Sequence, residues 1–173
     1  MKTFEALETL WREASPPSRG RGELRLITRR TAPGVHETSE RAEVTPEEGL
    51  VGDRWSRVKD PHANYQITLM EARVAAWLAG DRIALHSAGD NLLVDLDLAE
   101  EALPIGARLR IGEVVLEVTA PLHLGCKKFG ERFGEDALRW VNWKEHRARR
   151  LRGLNCRVVT GGTVAVGDVI EVL

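Results

Sequence analysis

Arg108-Leu109-Arg110-Ile111-Gly112-Glu113-Val114-Val115-Leu116-Glu117-Val118 reads as a strand, a Gly-acid pivot and a second strand. Near the end of the chain, Thr163-Val164-Ala165-Val166-Gly167-Asp168-Val169-Ile170-Glu171-Val172 repeats that plan. Glycine at each pivot supplies the permissive backbone that a sharp bend needs. Paired strands of this kind are common where a sheet curls into a barrel. Two copies do not make a solenoid.

Working outward, Leu24, Leu26 and Thr28 alternate with charged residues, and Glu40 to Thr45 alternates again, which predicts two strands. Pro46-Glu47-Glu48-Gly49 turns the chain into Leu50-Val51-Gly52-Asp53-Arg54-Trp55. Tyr65 to Met70 reads as a strand running into a helix; Thr68 and Glu71 have capping-box spacing and Gly80 is its stop. Asn91 to Leu98 alternates as a further strand. A helical insert lies between the two pivot segments. It comprises a turn or two over Lys127 to Phe133, then helices over Glu135 to Asn142 and Lys144 to Arg152, halted by Gly153. Leu154, Cys156 and Val158 then share one face of a strand. Phe4, Leu7, Leu10 and Trp11 recur at helical spacing before the Ser15-Pro16-Pro17-Ser18-Arg19-Gly20 linker. The expectation is a mainly β barrel with peripheral short helices: an accessory helix and linker over 1–20, and the barrel domain over 21–173.

At 173 residues the chain can bury one sizeable core, and a net charge of −1 argues against whole-protein attraction to nucleic acid or membrane. No apolar run approaches the roughly 18 residues that cross a bilayer. Charged residues interrupt Met1 to Ser15, which is not the pattern of a secretory signal. Two cysteines, Cys126 and Cys156, predict a reduced, cytoplasmic chain, and neither a CxxC nor a Cys/His zinc spacing is present.

The chemistry concentrates in His123-Leu124-Gly125-Cys126-Lys127-Lys128-Phe129, followed by Gly130-Glu131-Arg132-Phe133-Gly134. A thiol reacts as its thiolate, and Lys127 and Lys128 favour that form. Cys126 is therefore the candidate catalytic residue, able to attack an electrophilic sulfur, carry a persulfide or bind a soft metal such as molybdenum. Gly125 is expected to leave room for a ligand at the backbone. His123 can steer a proton or bond an anion beside Cys126. Arg132, six residues on, can grip a phosphate through its planar fork, or be a surface charge. Cys156 is in phase with Leu154 and Val158 and reads as packing, though a disulfide to Cys126 stays open. Arg139 to Arg152 is basic with Trp140 and Trp143 interleaved. That pattern reads as a solvated helix face with inward tryptophans, ahead of nucleic-acid binding.

Together these features resemble the MOSC domain, the module found at the C-terminus of molybdenum-cofactor sulfurases and as free-standing bacterial proteins. The resemblance rests on Gly49 to Trp55, Gln66 to Met70, Ala88-Gly89-Asp90-Asn91-Leu92, Leu103 to Leu109 through Thr119, the Gly-Cys-x-Lys-Phe element, and Leu151 to Asn155 on to Val172. It covers nearly everything from Glu23 onward. It implies a fold akin to the pyruvate-kinase-type β-barrel, and a role for Cys126 as sulfur carrier or molybdenum ligand. It also implies a pterin-based molybdenum cofactor whose phosphate gives Lys128, Arg132 and Arg54 a reason to line the pocket. Asp53, Asn91 and Asn155 would hydrogen-bond the pterin or shape the pocket, and His123 would orient or protonate groups near the sulfur. Pyridoxal phosphate is not expected, because the chain is too short to contain the desulfurase domain of full-length sulfurases. Sulfur or electrons would come from a separate donor protein. The implied function is cofactor binding or sulfane-sulfur carriage, supporting a molybdenum-dependent reductase or a sulfur transfer. The alternative is a non-enzymatic cofactor- or anion-binding module.

Overall fold

Both glycine pivots turn as expected: Gly112 has φ 56° and Gly167 φ 91°, and the strands on either side of each lie in the barrel wall or against it. The structure is a computed structural model that describes residues 1–173. In chain order its strands are β1 (Arg21–Ala32), β2 (Val35–Ser39), β3 (Arg41–Thr45), β4 (Gly49–Leu50), β5 (Ile67–Glu71) and β6 (Leu92–Val94). They continue as β7 (Arg108–Ile111), β8 (Val114–Val118), β9 (Leu154–Thr160), β10 (Gly162–Ala165) and β11 (Val169–Val172). The helices are α1 (Phe4–Glu13), α2 (Ala72–Ala79), α3 (Lys127–Phe133) and α4 (Glu135–Asn142).

The main sheet runs β11-β7-β8-β9-β5-β6-β1-β2, and β1 also pairs with β11, so seven strands close on themselves. Closure removes the free sheet edges that would otherwise invite pairing with other chains. β1 makes this possible by its length. Arg21 to Glu23 pair with β11, Leu24 to Ile27 with β6, and Ile27 to Ala32 with β2, which splays off the wall. β10, β3 and β4 form a separate small sheet. The protein is mainly β with a closed barrel and a few short helices.

Side chains alternate across the wall with the period of two that strands impose. Leu69, Leu92 and Val94 point into the barrel with Leu24, Leu109, Leu116, Cys156 and Ile170. Met70 and Leu93 point outward into a second apolar layer with Leu7, Val74, Leu78, Phe129, Phe133 and Trp140. The helices therefore all cover one flank of the barrel. α1 is fastened there: Thr3 caps it by accepting from the Ala6 N–H at 3.2 Å. Glu8 accepts from Trp140 Nε1 at 3.1 Å and pairs with His146 Nε2 at 3.0 Å.

Three local expectations are corrected. Thr68 lies within β5 and bonds Asn91 instead of capping α2, and Glu71, the residue at the cap, makes no side-chain cap bond. Of Asn91 to Leu98 only Leu92–Val94 is strand, because β1 pairs with β6 only over Leu24 to Ile27 and its first residues, Arg21 to Glu23, pair with β11 instead. Lys144–Arg149 is a 3₁₀ helix ending at Arg150, whose φ of 52° breaks the helical run before Gly153.

Candidate functional site

Cys126 is exposed and stands immediately before α3. It opens onto a cavity of about 200 Å³ whose other walls are Arg30, Ala32, Gly34, His36, Arg54, Ala88, Gly89, Lys128, Phe129, Arg132 and Arg152. Five fixed cations face this space and no carboxylate lines it. Arg54, Lys128 and Arg132 form no salt bridge; Arg132 spends one donor on the Ser87 carbonyl at 2.8 Å. The cavity thus keeps uncompensated positive charge beside a sulfur. Of the residues singled out in the sequence, the fold brings together Cys126, Lys128, Arg132 and Arg54.

The segment carrying the thiol is held from behind. Asn155 Nδ2 donates to the Pro121 carbonyl at 3.1 Å. Asn142 Oδ1 accepts from the Gly125 N–H at 2.8 Å while its Nδ2 donates to the Gly125 carbonyl at 2.9 Å. Gly125 itself makes room for α4 and not for a ligand: a Cβ there would lie 2.8 Å from Leu138 and 3.1 Å from Val141. Gly89 works differently. Its φ of 79° and missing side chain let the His36 ring close over it, since a Cβ would sit 3.1 Å from His36 Cε1. His36 Nδ1 faces the His86 carbonyl at 3.0 Å. Burial, and then the charge of Arg132, lower its pKa, so the ring is neutral with Nδ1 as the donor and Nε2 bare.

Asp53, Asn91 and Asn155 do not line the cavity; they stand behind its wall. Asp53 accepts from Arg30 Nε at 3.0 Å and Nη2 at 2.9 Å, and from the Arg30 backbone N–H at 2.7 Å. Asn91 donates to Asp53 Oδ2 at 3.0 Å and accepts from Arg30 Nη2 at 3.1 Å. Burial acts to raise the Asp53 carboxyl, but the hydrogen bonds and charge of Arg30 outweigh it and hold it low. This pair therefore orients Arg30, through which Asp53 and Asn91 reach the cavity.

A second buried carboxylate, Asp90, organises the other side. Its Oδ2 takes Arg152 Nη1 at 2.5 Å and its Oδ1 takes His123 Nε2 at 2.8 Å. Arg152 also donates from Nη2 to the Ala88 carbonyl at 3.2 Å and stacks over Phe129, 5.0 Å from the ring centre. Its Nε is buried with no partner. Burial pushes Asp90 up, yet Arg152 and His123 hold it below the ordinary aspartate value. Burial and then Arg152 lower His123, leaving a neutral ring with its proton on Nε2 and a bare Nδ1. His123 faces a neighbouring cavity of about 60 Å³, with Leu122, Leu124 and Val141, and does not line the one at Cys126. Arg152 borders both.

Asp90, Arg152, Arg30 and His36 were not anticipated as site residues. Arg152 lay in the Leu151-Arg152-Gly153 element quoted for the resemblance, but nothing local to it marks a site residue. The rest of the basic segment is an exposed face over inward aromatic rings, with Arg139, Lys144, Arg147 and Arg149 exposed. Trp140 is buried, Arg139 lies over Phe4 and Arg149 over Trp11, and Arg150 donates to the Leu98 and Leu103 carbonyls. Cys156 is fully buried within the barrel, its thiol pushed up by burial, and both cysteines are free.

The family model described as the MOSC domain matches residues 64–171. No curated protein matches the chain. Among solved structures, the YuaD protein from Bacillus subtilis is similar at 18% identity and a TM-score of 0.66, over 91% of this chain and 98% of that one. YiiM from Escherichia coli is similar at 16% identity and 0.59, over 87% and 69%. YiiM from Geobacillus stearothermophilus is similar at 15% and 0.55, over 91% and 75%. At these identities the likeness is one of fold. No helix is long and apolar enough to cross a membrane. With the barrel, the order of its motifs and the matched span in agreement, the chain belongs to the MOSC domain family, a family linked to molybdenum-cofactor binding and sulfur transfer.

Proposed function

We propose that the cavity at Cys126 receives an anionic guest against a sulfur nucleophile, either as a site for the pterin-based molybdenum cofactor or as a station for sulfane sulfur. One observation carries this reading: an exposed thiol shares a single cavity with five cationic side chains and no carboxylate. The residues fit the cofactor by the chemistry of their donors. A thiolate is a soft ligand that suits molybdenum. Guanidinium forks match phosphate oxygens, and the pair with Asp90 holds the charge of Arg152 at the same wall. When bound, the cofactor supplies a redox-active metal centre. Cys126 would hold that metal, while Lys128, Arg132 and Arg54 would hold the phosphate end.

As a sulfur carrier, the Cys126 thiolate attacks the terminal sulfur of a donor persulfide. The donor's S–S bond breaks, a new one forms on Cys126, and the donor leaves as a thiolate. His123 sits one residue shell away, across Arg152 and Asp90, and acts on the site by fixing these two groups. We place the protein in the cytoplasm, with a separate sulfur-donor or electron-transfer protein as its partner.

Metal analysis and intact-mass spectrometry of freshly purified protein test the proposal. The parent is expected to carry molybdenum or to gain one sulfur atom when treated with a persulfide donor, and Cys126→Ala to do neither. A Cys126→Ala protein that binds cofactor and accepts sulfur as well as the parent would overturn it.

A further inference from the structure

Resting on the sulfur-carrier reading, the geometry points to a particular class of donor: a small sulfane compound whose leaving group is a multiply charged oxyanion, of which thiosulfate is the simplest. Three features converge on this. The first is size. About 200 Å³ holds several water volumes of roughly 30 Å³ each, enough to seat a small oxyanion within the walls.

The second is charge left over after internal pairing. Asp53 occupies Arg30 and Asp90 occupies one face of Arg152, but nothing acidic answers Arg54, Lys128 or Arg132. Arg152, only 8% exposed, lines the same space with an unpartnered Nε. That Nε is sealed from solvent, so Arg152 acts on a guest through its charge, which the pair with Asp90 holds at the wall.

The third is where charge develops during transfer. The Cys126 thiolate attacks the outer sulfur of thiosulfate and a new S–S bond forms on the cysteine. The original S–S bond breaks, and its electron pair leaves with the sulfur that becomes sulfite. Cys126 ends as a persulfide anion and the total charge is unchanged. Negative charge moves onto the departing oxyanion, and fixed guanidinium and ammonium donors stabilise that transition state more than the ground state. An alkyl persulfide instead expels a singly charged thiolate with no oxyanion oxygens for these donors to grip, and gains less from the cations. The cationic wall is therefore a selectivity device for donors that leave as oxyanions.

The experiment mixes the full chain with thiosulfate and follows sulfite release and the mass at Cys126. Expected results are close to one sulfite and one added sulfur per chain, and none with Cys126→Ser. Lys128→Met, at an exposed residue, and Arg132→Met should each lower the loading rate from thiosulfate roughly tenfold more than the loading rate from an alkyl persulfide, both rates being normalised to the variant's alkylation by neutral iodoacetamide. Added cyanide should draw off the sulfur as thiocyanate and permit turnover. If the alkyl persulfide loads Cys126 but thiosulfate releases no sulfite, the inference fails and the sulfur-carrier reading stands. If neither donor loads Cys126, both fail. Equal losses for both donors in the variants would also overturn the inference, since they would mark general damage and not recognition of charge.

Discussion

Asp90→Ala should lower the unfolding free energy by about 3–5 kcal/mol, the usual result of removing one partner of a buried ion pair. The carboxylate is completely enclosed and serves two donors on different elements, Arg152 before β9 and His123 in the segment leading to Cys126. Without it, Arg152 keeps its charge in a site where its other named partners are one carbonyl and one aromatic face. Chemical denaturation at neutral pH measures the loss. The pH dependence carries a second signature. Asp90 has a lowered folded pKa, so its stabilisation is present above the ordinary aspartate value and disappears as pH falls through the folded value. The parent should therefore lose stability toward acid more steeply than the variant. Asp90→Asn, which keeps the shape and one acceptor, should retain part of the stability but not that slope.

Gly153→Ala should be comparably damaging, by about 3 kcal/mol or more, for a backbone reason. Gly153 has φ 99°, a region that L side chains rarely adopt, and a Cβ would lie 2.0 Å from the Leu69 carbonyl oxygen. That oxygen belongs to β5, which pairs with β9 through Leu69 and Leu154, so relief would require opening the barrel wall. Because Gly153 follows Arg152 directly, the same displacement would withdraw the guanidinium from Asp90. Thermal unfolding should show the loss, and Cys126 loading should fall along with it. Gly167→Ala, also at positive φ but with nothing within 4 Å of a new Cβ, should cost much less.

The barrel was legible because its strands announce themselves locally. Leu109, Ile111, Val114 and Leu116 alternate about a glycine, and all four are buried. β2 was not legible: Val35–Ser39 carries no apolar alternation and none of it is buried. With β2 went the neutral His36, and with the far end of β1 went Arg30, so that, counting Arg152, two of the five cations were invisible. Cys126, Lys128 and Arg132 could be found because they lie within seven residues of one another. Asp90 could not, since an acid after a glycine looks like any solvated turn. Its partners are 33 and 62 residues away, and only the closed barrel brings them together. The same holds for Asp53 and Asn91, whose motifs were visible while their shared partner Arg30 was not.

The Cys126 thiol opens into a space of uncompensated positive charge. The most direct measurement compares alkylation of Cys126 by anionic iodoacetate and neutral iodoacetamide, reagents of similar size; Cys156, buried in the barrel, is shielded from both. Relative to a small uncharged thiol, the rate ratio should favour iodoacetate by roughly tenfold at low salt. It should shrink as salt screens the wall and fall toward the reference in Lys128→Met. A ratio equal to or below that of the free thiol at every salt concentration would contradict the account.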